Sequence, residues 1–215
     1  MNLQHFQNKW KYHYKKYLAL TFTCLALLCL IGSGAVTIYL TFDNPSSGVG
    51  TYLSIYDFAL FAIAYMLILI GNLQGSTLAY QGMLMYVFMI LFSATIALIK
   101  QGSYIDFSIF KSGNALAISL FVFVLLFYVA IIVTGIMTYV RTSQYLRNSY
   151  TNYPGVRTWC LLFVIFNALL YGFEPALIMV NGGNVSLLLL FLEPLSQVFI
   201  GLAIFFTVIR LKSEY

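Results

Sequence analysis

Leu67 to Met85 reads LILIGNLQGSTLAYQGMLM. Two apolar helices meet in it at an uncharged polar joint made of Gly71, Asn72, Gln74, Gly75, Ser76, Thr77, Gln81 and Gly82. Glycine and small polar residues punctuate chain that is otherwise apolar on both sides, so the stretch reads as two spans with a short connection. No charge sits in the joint.

Outward from this joint the same composition continues. The 215 residues are 61% hydrophobic and 8% charged, with mean hydropathy +0.90, whereas a soluble domain carries roughly 25% charged residues. A span takes about 20 mostly apolar residues, so the chain holds roughly five to seven helices and no separate soluble domain. The apolar runs are long and unbroken rather than alternating, which excludes a transmembrane barrel. The expected fold is all-α: a polytopic membrane helix bundle of about six transmembrane helices, 18–40, 53–70, 83–99, 115–140, 158–179 and 185–209, forming one domain over 18–212.

Before the first span, residues 1–17 interleave Lys9, Lys11, Lys15 and Lys16 with Phe6, Trp10, Tyr12, Tyr14 and Tyr17. On a helix Leu3, Phe6, Trp10, His13 or Tyr14, and Tyr17 share a stripe. Two readings stay open: an interfacial segment on anionic lipid, with Lys9, Trp10, Lys11, Lys15 and Lys16 at the membrane surface, or a plain positive anchor. The first span exceeds the 7–15 residues or so of a signal-peptide core and reads as a retained helix.

Charge sets the orientation. Lys9, Lys11, Lys15, Lys16, Arg141, Arg147, Arg157, Arg210 and Lys212 fall at one set of span ends, and only Lys100 and Lys111 at the other. The positive-inside rule then places both termini and the 71–82 joint in the cytoplasm. Basic residues confined to span ends are topology signals, so no nucleic-acid partner is expected. Cys24, Cys29 and Cys160 lie in apolar runs without metal-site or disulfide spacing and read as packing residues, and no metal or other cofactor is expected. Met83, Met85 and Met89 read as core, and the many Tyr and Phe as interfacial belts and lipid-facing filler.

Acids inside spans are the sharpest chemical signal, because a charge near the bilayer centre costs several kcal/mol unless it faces protein or water. Glu193, followed by Pro194, is the deepest candidate. Proline frees a carbonyl one turn earlier, so Glu193, Ser196 and Gln197 could form a polar notch. Glu174 and Pro175 repeat the arrangement, with Asn167 seven residues earlier on the same helical face. Glu193, Glu174, Asn167 and Gln197 are therefore candidates for an intramembrane polar or substrate path. The alternative is that both acids are hydrated helix-end residues around a short re-entrant turn. Asp57 reads as an outer-interface residue.

Enzyme signatures are absent. The chain has no HExxH pair, no Gly-x-Ser-x-Gly turn and no phosphate-binding loop ending in Lys-Ser or Lys-Thr, so no catalytic residue is expected, and energy must come from a partner or an ion gradient.

In layout the chain resembles the membrane subunit of type-2 ABC exporters: a basic amphipathic N-terminal segment, six spans with both ends inside, and a cytoplasmic segment between spans two and three. The matching positions run Gly71-Asn72-Leu73-Gln74-Gly75-Ser76-Thr77-Leu78-Ala79-Tyr80, with no Arg or Lys after Ser76 where the family often has one. The resemblance implies a bacterial plasma-membrane permease working as a homodimer or heterodimer with separate ATP-binding subunits, coupled through Gly75, Ser76, Thr77 and Tyr80. It also implies half-inserted helices between spans five and six, around Glu174-Pro175 and Glu193-Pro194. Two other readings remain: a small non-catalytic scaffold or immunity-type protein that binds a partner in the bilayer, and an ion-coupled carrier using Glu193.

Overall fold

A computed structural model describes residues 3–43, 48–103, 114–147, 153–180 and 187–211. They form six helices: α1 Leu3–Asp43, α2 Gly48–Gln74, α3 Leu78–Ser103, α4 Ala115–Leu146, α5 Tyr153–Val180 and α6 Leu187–Leu211. Five carry stretches long and apolar enough to cross a membrane, and α2 adds a shorter apolar stretch, Phe58–Gln74. The chain is an all-α, polytopic membrane helix bundle.

Each helix packs on its neighbours in sequence, and α1 closes the ring through an extensive seam with α6. Directions alternate. In the α1–α6 seam Phe22 stacks on Phe206 and Gly32 meets Leu192, so the two run antiparallel. Asn167 meets Gln197 while Val164 faces Gly201, which sets α5 against α6. Phe123 packs on Phe173 and Gly135 on Phe163, which sets α4 against α5. The start of α1, the α2–α3 joint, the end of α4, the start of α5 and the end of α6 therefore share one end of the bundle. Lys15, Lys16, Arg141, Arg147 and Arg157 all lie there, and it is called the basic end below.

Outward faces are apolar, as lipid demands: Val122, Leu126, Val129, Val133 and Ile136 stand exposed along α4, while its inward stripe is Phe121, Val124, Tyr128, Ile131, Thr134, Gly135 and Thr138. Asn114 starts α4 by accepting from the backbone N–H groups of Leu116 and Ala117 at 3.2 and 3.3 Å, an N-cap that satisfies two otherwise orphaned donors. Pro154 lies in the first turn of α5, where its missing N–H costs nothing.

α1 runs unbroken from Leu3 to Asp43, so residues 3–17 continue directly into the first span. The side chains of Lys9, Trp10 and Lys11 lie outside the described residues. One feature differs from the sequence reading. Neither Glu-Pro pair ends its helix: α5 continues past Pro175 to Val180, and Pro194 lies inside α6. The neighbours supply packing that tolerates the lost hydrogen bond, as within a membrane bundle.

The joint itself is a three-residue turn, Gly75–Thr77. Gly75 has φ 67° and the Ser76 N–H donates to Gly71 O at 2.9 Å, the six-to-one bond of a Schellman stop. α2 and α3 then approach so closely that a Cβ on Gly71 would lie 2.0 Å from Ala79 N, and one on Gly82 would lie 2.8 Å from Ile68 N. Backbone cannot give way as a flexible side chain does. Gly71→Ala is therefore expected to cost at least the ~1–3 kcal/mol of overpacking, lowering the thermal unfolding midpoint of the purified protein. Gly172→Ala, where a Cβ meets nothing within 4 Å, should leave the midpoint unchanged.

Candidate functional site

A buried polar hub crosses the middle of the bundle. Tyr86 of α3 donates to Gln197 Oε1 of α6 at 2.5 Å and accepts from Asn167 Nδ2 of α5 at 2.8 Å. Asn167 Nδ2 also reaches Gln197 Oε1 at 3.3 Å. Next to it Ser196 Oγ donates to Ala26 O of α1 at 3.1 Å and lies 3.3 Å from the Tyr65 hydroxyl of α2. Five of the six helices thus meet through uncharged side chains. The rings of Phe61, Tyr65, Tyr86 and Phe163 pack edge-on or tilted around the hub, with centroids 5.9–6.4 Å apart. One acceptor is left over: Asn167 Oδ1 is buried without a hydrogen-bond partner.

A cavity of about 250 Å³ extends from this hub away from the basic end. Its walls come from α1 (Leu30, Ser33, Gly34, Thr37, Ile38), α2 (Phe58, Phe61), α5 (Tyr171) and α6 (Glu193, Ser196, Gln197). Gln197 and Ser196 belong to both hub and cavity. Glu193, one turn nearer the far end, contributes the carboxylate. Its side chain is exposed, whereas Asn167, Ser196 and Gln197 are buried, at 2%, 1% and 6% exposure. The structure thus brings Asn167, Gln197 and Glu193 into one region, while the side chain of Glu174 lies outside the described residues, as does that of Asp57.

A second polar node ties down the joint at the basic end. Asn72 Nδ2 donates to Ile68 O at 2.9 Å and to Thr207 Oγ1 of α6 at 3.0 Å, and Thr207 donates in turn to Ala203 O. Lys16 Nζ of α1 donates to Leu73 O at 2.7 Å, placing a cation on the carbonyls that end α2, where the helix dipole favours it. The apex carries exposed Leu73, Gln74, Gly75, Thr77 and Gln81. Ser76 is half-buried, with its hydroxyl enclosed and unpartnered. Tyr80 departs from the expectation of a coupling surface. It is buried at 3% exposure, so of the four residues Gly75 and Thr77 face out fully and Ser76 in part.

Sequence reasoning missed Tyr65 and Tyr86, which it read with the other tyrosines as belts and filler; both are fully buried. Their position in mid-span, far from either interface, was the available signal. Among the described residues no three His, Cys, Asp or Glu side chains converge, and the site there is built from hydrogen-bonding groups, aromatic rings and the Glu193 carboxylate.

No protein-family model, curated protein or solved structure matches the chain. The fold and the site define it as a multi-pass integral membrane protein with a polar interior.

An interhelical hydrogen bond in a membrane protein contributes about 0.5–2 kcal/mol. Tyr86→Phe is expected to destabilise by that amount, since it strands Gln197 and Asn167. In a Gln197→Leu background, where only the bond from Asn167 is left to lose, the same change should cost less. Equal costs in both backgrounds, read from unfolding in detergent, would contradict the hub.

Proposed function

We propose that this chain is the membrane subunit of a transport system, driven from its basic end by a separate ATP-hydrolysing chain. The carrying observation is that the helices tied to the exposed joint are those that wall the cavity. α1 is bonded to it through Lys16 and Leu73, and α6 through Thr207 and Asn72. The same two helices and α2 supply most of the cavity lining. A push on the apex at Gly75 and Thr77 therefore reaches the cavity through three continuous helices, without an intervening loop. The positive-inside rule assigns the basic end to the cytoplasm, where ATP is, and the cavity to the outer half of a bacterial plasma membrane. On this reading the exporter-permease resemblance holds in layout, ATP hydrolysis belongs to the partner, and Gly75, Thr77 and the open side of Ser76 form the contact.

Tagged protein recovered from native membranes in mild detergent is expected to bring down an ATP-binding chain in stoichiometric amount. Thr77→Arg at the exposed apex should reduce the ATPase rate of that complex at least tenfold while the unfolding midpoint stays within a degree or two. Recovery without such a chain, or an unchanged rate, contradicts the reading.

A second reading, an ion-coupled carrier, is favoured by the placement of Glu193 on the cavity wall. It predicts that Glu193→Gln abolishes pH-gradient-driven uptake in vesicles holding this chain alone, whereas the ATP-driven reading predicts no such uptake by either form.

A further inference from the structure

The cavity's chemistry is one-sided. Among the described residues its only charged lining side chain is Glu193, and no Lys, Arg or His lines it. The lining hydroxyls deepen the bias, because each carries one proton and two lone pairs. Ser33 Oγ donates to Leu30 O at 2.9 Å, Thr37 Oγ1 to Ser33 O at 2.9 Å, and Ser196 Oγ to Ala26 O at 3.1 Å. With these protons committed to backbone carbonyls, the three hydroxyls present oxygen rather than a proton toward the cavity. Aromatic surface supplies the rest of the wall, from Phe58, Phe61 and Tyr171. Phe61 is held in place by Tyr65 and Tyr86, at centroid distances of 6.4 and 5.9 Å.

We propose that this cavity is a binding site for a small organic cation, an alkylated ammonium whose charge meets Glu193 and whose apolar substituents lie against Phe58, Phe61 and Tyr171. A carboxylate with aromatic faces is the arrangement that recognises such ions, since ring quadrupoles attract a cation that water hydrates weakly. An anion would meet the Glu193 carboxylate. A metal ion needs several oxygen ligands, and among the described residues the lining supplies one carboxylate. Volume restricts the ligand further: about 250 Å³ lies just below the ~300–1,000 Å³ of most small-molecule sites. The inference names the cargo of the transport subunit proposed above and rests on that reading for its biological role, but binding itself needs neither partner nor ATP.

The test is calorimetric titration of the full chain, purified in maltoside detergent without lipid, using benzyltrimethylammonium as probe and its uncharged carbon isostere neopentylbenzene as control. Saturable binding of the cation is expected, with at least tenfold weaker binding of the isostere. Glu193→Gln should weaken cation binding tenfold or more, and Phe61→Leu, which keeps apolar bulk but removes the ring, several-fold, with the unfolding midpoints of both variants confirming an intact fold. Displacement of the probe by added phosphatidylcholine would assign the site to a lipid headgroup, and its persistence to a free cation; the chemistry of the site is the same in either case. Equal binding of cation and isostere, indifference to Glu193→Gln, or no binding at all overturns the proposal. If an ATP-binding chain co-purifies while binding fails, the cargo class is wrong and the transport subunit stands. If binding holds and no such chain is found, the reverse is true.

Discussion

A polar side chain turned inward in a lipid-embedded bundle must find its partner on another helix, because the surrounding hydrocarbon provides none. In this protein the Tyr86 hydroxyl answers that requirement by accepting from Asn167 and donating to Gln197. Hydrophobic burial cannot hold membrane helices in register, since lipid tails are as apolar as leucine. Register comes from the directional contacts, and the hub supplies them at mid-depth for α3, α5 and α6, with Ser196 adding α1 and α2. The level of the cavity floor, the antiparallel order of the helices and the alignment of the basic ends all follow once these side chains meet.

At the basic end close approach replaces hydrogen bonding as the dominant constraint. Gly71 and Gly82 allow the α2 and α3 backbones to touch, and Gly75 turns the chain in the left-handed region. Asn72 and Lys16 then fasten the turn to α6 and α1. The result is a short, neutral apex set rigidly on three helices. Its apex residues are the exposed ones, while Tyr80 is buried in the bundle.

Much of the bundle was readable from composition. Unbroken apolar runs and clustered Lys and Arg locate helices and their ends, because lipid thickness and membrane orientation act on every span alike. Asn167 and Gln197 were singled out by their spacing from Glu174 and Glu193, and the two amides meet each other. Tyr86 and Tyr65 did not stand out: a tyrosine is as common at an interface as in a core, and only the helix neighbours decide which. Pro194 suggested a break, whereas α6 continues through it. The burial of Tyr80 could not be read from periodicity, because it depends on packing against other helices.

A polar recess that enters the bundle from the end opposite the basic residues is reachable from that side, and thiol labelling tests this. In a variant with Cys24, Cys29 and Cys160 replaced, Thr37→Cys on the cavity wall and Val133→Cys on the lipid-facing side of α4 would each be exposed to a membrane-impermeant maleimide added outside intact cells. The account predicts that position 37 is labelled without permeabilisation and that position 133 is not. Labelling of position 37 only after the membrane is opened, or equal labelling at both positions, would contradict it.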